Sequence, residues 1–182
     1  MVWRAFRYAI VALTAFGASS VAGAPERFLS DHDRVWLTQH NKARAQFGSA
    51  PLAWSDRLAK QATSWAERLA RSNTLRHSSR QQRGHTGENL WMGTREAFTA
   101  AQMVDGFIDE RVYFVPGRFP NVSRTGRWRD VGHYTQIVWP KTQMVGCGLA
   151  SGARYDVLVC RYWPAGNTIG VEIAPKSRVA AR

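Results

Sequence analysis

Cysteine is scarce in this chain: 182 residues include only Cys147 and Cys160. Neither belongs to a CxxC pair, which removes the usual cysteine spacings of metal and redox sites. HExxH, GxSxG, a phosphate loop and an EF-hand loop are also missing, so the common metalloprotease, serine-hydrolase, nucleotide and calcium signatures do not apply. Long apolar runs are absent too. The longest near the start, YAIVALTAF at 8–16, is too short for the roughly 20 residues that a spanning helix needs. Acids are outnumbered, 13 Asp and Glu against 25 Lys and Arg, for a formal charge of +12. There is no internal repeat and no composition shift marking a second domain.

What is present is a globular composition, 45% hydrophobic with eight Trp, eight Phe and five Tyr, ample for a core. Arg4 and Arg7, the apolar run after them and the small residues of ASSVAGAP predict a signal peptide over residues 1–22, cut after Ala22 or, alternatively, Ala24. Removing it lowers the formal charge to +10. Residues 23–32 read as a lead-in, 33–174 as one domain, and 175–182 as a flexible basic tail. Positive charge favours anionic partners such as cell-surface polymers or acidic lipid; the competing reading is that scattered Arg only maintains solubility. No nucleic-acid recognition module is present.

Ser30-Asp31-His32-Asp33 predicts a helix start, with Trp36, His40, Ala43 and Phe47 on one stripe and Gly48 and Pro51 at the end. Ser55-Asp56 opens a second helix carrying Leu58, Ala62, Trp65 and Leu69. Residues 72–87 read as a polar loop, and Thr94 or Thr99 as the cap of a third helix through Ala101, Val104 and Ile108. A Pro/Gly/Arg-rich loop covers 116–129. The period then changes: VGCGLA and DVLVCRYW around SGARY predict a β-hairpin. A turn centred between Ala153 and Arg154 sets Leu149 opposite Leu158, Cys147 opposite Cys160 and Val145 opposite Tyr162. That register brings the two cysteines within disulfide reach, against the alternative of two buried thiols. Helices first and a hairpin last give an α+β fold.

Four segments carry a resemblance. GHYTQIVWPKT (132–142) and VLVCRYWPAGNTIG (157–170) resemble the two signature stretches of the CAP superfamily, the group of cysteine-rich secretory, antigen 5 and pathogenesis-related proteins. His40-Asn41-Lys42-Ala43-Arg44 resembles its HNxxR segment and Gly87-Glu88-Asn89-Leu90 its GENL segment. The four occur in the family's order. The resemblance implies a three-layer α-β-α sandwich with a small antiparallel sheet and a cleft holding two His and two Glu. Residue by residue these are His77 in LRHSS, Glu88 in GENL, Glu110 three residues after Phe107, and His133 in GHYTQ. Two departures stand out: Thr86 occupies the place of an aromatic before GEN, and one expected bridge replaces several.

The resemblance implies further roles. Asn41 and Arg44 are expected to bridge helix to loop, with His40 and Asn89 as structural motif residues. Tyr134, Gln136 and Trp139 are expected to hold the signature segment on the core, and Asn167 and Gly166 to shape a turn. His85 reads as a solvent-facing loop residue, and Asn121-Val122-Ser123 is a formal glycosylation sequon. His77 and His133 are the expected ligands of a conditional Zn2+, with Glu88 and Glu110 as cleft carboxylates. The alternative is a His/Glu hydrogen-bond network that fixes the loops, sensitive to pH without metal. The functional expectation is a secreted or periplasmic, monomeric, non-enzymatic module. It would hold a lipid, a sterol-like ligand or an anionic envelope surface, and not nucleic acid. A metal-assisted hydrolase of peptide or cell-wall material is the alternative.

Overall fold

The computed structural model describes residues 29–175. The expected signal peptide, residues 23–28 of the lead-in and all but Pro175 of the basic tail lie outside them. Helix α1 spans Asp31–Phe47, starting where Ser30 Oγ accepts from Asp33 N–H at 3.2 Å and ending at Gly48, whose φ of 85° suits glycine. Strand β1 is Ala53–Trp54 and α2 is Asp56–Ser72, capped by Ser55. After a short α3 (Arg80–Arg83) come β2 (Gly87–Thr94) and α4 (Ala100–Ile108). Thr99 is the cap of α4, because Thr94 ends β2. A 3₁₀ turn over Asp109–Tyr113, β3 (Gly117–Arg118) and a second 3₁₀ turn over Trp128–Asp130 lead to α5 (Gly132–Val138). The chain then forms β4 (Met144–Ser151), β5 (Tyr155–Trp163) and β6 (Glu172–Ile173).

The main sheet has the order β1-β4-β5-β2, and β3 pairs with β6 separately. The hairpin register is the expected one: Val145 with Tyr162, Cys147 with Cys160, Leu149 with Leu158. Cys147 and Cys160 form a disulfide. The sheet is not wholly antiparallel, however, since β1 runs parallel to β4. Two other expectations are corrected, and two motif segments without a predicted element receive one. The loop at 72–87 contains α3, stabilised by a Ser79/Gln82 capping box. The GENL segment is a sheet strand, and GHYTQIV is a helix. The loop at 116–129 contains a strand and a 3₁₀ turn.

Strand β5 explains the layering. Both edges are paired and both faces are covered, so its middle, residues 157–160, reads as a continuous apolar run. Val157 and Val159 meet Ala62, Trp65, Ala66 and Leu69 of α2 on one face. Leu158, Cys160 and Tyr162 meet Trp36, Phe47, Val104, Phe107 and Ile137 of α1, α4 and α5 on the other. The result is the three-layer α-β-α sandwich. Helix α2 lies so close to β4 that a Cβ at Gly146 or Gly148 would run into its backbone at Ala59 or Thr63.

Helix α5 is only seven residues long, too short to persist by its own hydrogen bonds. Arg44 holds its C-terminal end. Fully buried, it donates Nη1 to the carbonyls of Ile137 (2.7 Å) and Trp139 (2.9 Å), Nη2 to Thr142 O (3.0 Å) and Nε to Ala50 O (2.6 Å). Ser49 Oγ takes the remaining carbonyl, Val138 O, at 2.7 Å. Burial lowers the Arg44 pKa to about 10, so it stays cationic at neutral pH, opposite the negative end of the helix dipole. Asn41 makes the companion bridge, donating to Leu52 O and accepting from Leu52 N–H. Arg44→Leu orphans several buried carbonyls and should lower the unfolding free energy by about 3–5 kcal/mol, read from urea midpoints at unchanged slope.

Candidate functional site

The four residues implied by the family resemblance form two His–carboxylate pairs. In the first, His77 Nδ1 bonds Glu88 Oε1 at 2.8 Å. Glu88 also accepts from Ser78 N–H (2.9 Å) and Ser78 Oγ (2.8 Å), and pairs with Arg161 at 3.1 Å. The β2–β5 register sets Arg161 directly across from Glu88, and both side chains are buried, 3% and 1% exposed. Burial alone would raise the Glu88 carboxyl. The His77 hydrogen bond, the Arg161 charge and the two Ser78 bonds outweigh it, holding the acid below its ordinary value.

In the second pair, His133 Nδ1 bonds Glu110 Oε1 at 2.6 Å. Glu110 Oε2 accepts from the amides of His133 (2.8 Å) and Tyr134 (3.1 Å), so the acid also satisfies the first turn of α5. Phe107 stacks on the His133 ring at 4.9 Å. In both pairs the carboxylate occupies Nδ1. Among the described residues neither Nε2 has a protein hydrogen-bond partner.

Asn89 ties the pairs together. Its Nδ2 donates to His133 O and to Tyr162 Oη, both at 3.1 Å. Tyr162 Oη lies 2.8 Å from His40 Nε2, and His40 Nδ1 lies 2.7 Å from Trp36 O. A carbonyl can only accept, so Nδ1 carries the proton. Neutral Nε2 therefore accepts from Tyr162. Burial, with Arg44 nearby, brings the His40 pKa down to about 4 despite the Trp36 bond.

Alternation along β2 sends Glu88 with Leu90 to the α2 face and Asn89 with Trp91 to the other. The two pairs thus reach the cleft from opposite faces of the sheet. His77, Glu88 and His133 line one cleft of about 630 Å³, with Arg83, Thr86, Trp128, Arg129, Gln136 and Asn167, while Glu110 sits behind His133. Among the described residues, no three of the four place ligand atoms within 4.8 Å of one another. The only group that does so is His40 with Cys147 and Cys160, and those sulfurs are bonded to each other.

The remaining expected residues are structural in their contacts. Tyr134 packs edge-on against Phe47 and Phe114, and Trp139 against Phe119. Gln136 does more than pack: its Oε1 accepts from Gly166 N–H at 2.9 Å while it lines the cleft. Asn167, at φ 54°, donates to Gly132 O and accepts from Thr135 Oγ1, both at 2.8 Å. His85 is exposed and does not line the cleft. Ser78, Arg83, Arg161, Trp128 and Arg129 were not read as site residues. Pairing GENL with CRYW in register is the one sequence signal that finds Arg161.

The comparisons with known proteins now decide the family. The sequence profile of the cysteine-rich secretory protein family, CAP, matches residues 37–162, which hold all four cleft residues and the disulfide. The chain belongs to the CAP family. It is 36% identical over 136 residues to pathogenesis-related protein 1C of Nicotiana tabacum, covering 74% of this chain and 76% of that protein. It is 32% identical over 139 residues to the Golgi-associated plant pathogenesis-related protein 1 of Homo sapiens, covering 76% and 85%. Among solved structures, NaASP2 with Zn2+ superposes with a TM-score of 0.67 at 25% identity, over 84% of this chain and 90% of that one. BmVAL-1 gives the same TM-score and identity over 82% and 85%.

In this CAP chain, His40 couples stability to pH with a definite sign. The unfolded residue protonates near 6.5 and the folded one near 4, so between these values the unfolded state binds more protons. Stability should fall as pH drops from 6.5 to 4, by on the order of 3 kcal/mol. Denaturant titrations at several pH values should show that slope in the native protein and a flatter one in His40→Gln.

Proposed function

We propose that this CAP protein is a secreted, monomeric, non-enzymatic binding module whose cleft takes a lipid, a sterol-like molecule or an anionic envelope component. One observation carries the reading: both acids are committed to partners within the protein. Glu88 is buried under three hydrogen bonds and an arginine, and Glu110 is spent on an imidazole and two helix amides. A general base needs a free lone pair within reach of a reacting proton; Glu88 has none left, and Glu110, with one unused on Oε1, sits behind His133 and does not line the cleft. The volume of about 630 Å³ falls in the range of small-ligand sites, and Trp128 supplies an apolar wall. The disulfide is in keeping with an oxidising compartment outside the cytosol.

The donor set suits a transition metal held by His77 and His133. A carboxylate on Nδ1 orients each ring and leaves Nε2 as the ligating atom, the arrangement common around protein-bound zinc. With no third protein donor close by among the described residues, water or ligand atoms would complete the coordination. Such an ion would supply a fixed positive charge in the cleft. NaASP2, similar in fold, is described with Zn2+. Calorimetric titration with Zn2+ should give a saturating heat for the native protein and none for His77→Ala/His133→Ala. Unchanged heats in the double variant would exclude these two ligands.

The hydrolase reading would place Glu88 or Glu110 as base beside such an ion. Incubation with casein and with peptidoglycan should release no product above blank. Turnover that Glu88→Gln abolishes would establish the enzyme and end the binding-only account.

A further inference from the structure

The charge of the cleft is set by what its acids are not free to do. Glu88 is its only lining carboxylate; Arg161 pairs with it, and Ser78 and His77 take its remaining lone pairs in hydrogen bonds. Arg83 and Arg129 line the same cleft, and among the described residues neither has a carboxylate partner. Arg83 gives Nη1 to Ser78 O at 2.6 Å, and no other bond of its guanidinium is present among the described residues. Its charge is near enough to help lower the Arg161 pKa. Arg129 lies over the Trp128 ring at 5.3 Å, held in place by the aromatic face rather than by an anion. The cleft therefore offers two uncompensated guanidinium groups beside an apolar indole.

Resting on the binding-module reading, we propose that the ligand is an anionic lipid whose phosphate headgroup is held by Arg83 and Arg129, with Trp128 against the adjoining apolar part. Guanidinium groups bind phosphate oxygens through paired N–H donors, a geometry that lipids without an anionic oxygen group cannot use and that the choline cation of phosphatidylcholine competes against. A sterol lacking a charged group would leave both arginines unmatched. Other basic residues lie elsewhere: Arg71 and Arg154 line a separate groove between the end of α2 and the β4–β5 turn. They supply an internal control of equal charge.

Partitioning onto vesicles of phosphatidylglycerol mixed into phosphatidylcholine, at physiological salt, tests the assignment. Arg83→Gln/Arg129→Gln should weaken binding about tenfold and Arg71→Gln/Arg154→Gln less than about twofold. Arg129→Gln alone, which leaves the Arg83–Ser78 bond intact, should show a loss of several-fold. Equal losses from the two double variants would mean that diffuse charge holds the protein, overturning the cleft assignment. Equal binding to pure phosphatidylcholine, unaffected by either pair, would overturn the anionic headgroup and leave the lipid-binding reading standing. Absence of binding to any vesicle would remove both. Glycerol phosphate that displaces the protein at matched phosphate concentration would identify free phosphate as the ligand and overturn the lipid source.

Discussion

The short helix α5 is the constraint on which the site depends. Seven residues cannot sustain a helix in water, yet this one carries His133 at its first turn and closes the core with Ile137 and Val138. It is held from outside at both ends. Glu110 takes amides at its start, and Arg44 with Ser49 takes carbonyls at its finish. Each charge sits at the end of the dipole that favours it. The acid that orients the His133 ring is therefore the same acid that terminates the helix, so cleft geometry and core packing share one residue.

A directional run of hydrogen bonds links that helix to the opposite side of the core. Asn89 donates to both His133 O and Tyr162, Tyr162 donates to His40, and His40 donates to Trp36 O. Every donor direction follows from the carbonyl at the far end. His40, Tyr162 and Asn89 are all buried, which makes each missing partner costly and the set mutually reinforcing. The HNxxR and GENL segments thus act as one unit: the first supplies His40 and Arg44, the second supplies Asn89 and Glu88.

Much of this was legible in the sequence, for reasons of range. The α1 stripe, the Ser55 cap and the β4–β5 register depend on neighbours within one element or one hairpin, and periodicity reports those directly. The disulfide followed from that register. The cleft quartet came from family resemblance; spacing alone gave no reason to group four residues between positions 77 and 133. What stayed hidden depends on distant partners. Strand β1 has two residues and exists because β4 lies beside it. Strand β2 starts with Gly and Asn-containing GENL, poor strand formers whose pairing is set by β5. Helix α5 owes its form to Glu110 and Arg44, the latter some ninety residues away in sequence. Arg161 became visible only when β2 was aligned with β5.

The position of β5 has an effect on how the molecule is assembled. Its two neighbours in the sheet are β4 and β2, and β2 is made about seventy residues earlier. Until residues 155–163 are available, β2 has no partner strand and α2 lacks half of the platform it covers. Layer formation is therefore governed by a long loop closure rather than by local zippering, the kind of topology in which distant pairing limits the rate. The two outer layers share β5 as a common floor, so each gains its full packing surface only once that strand is in place.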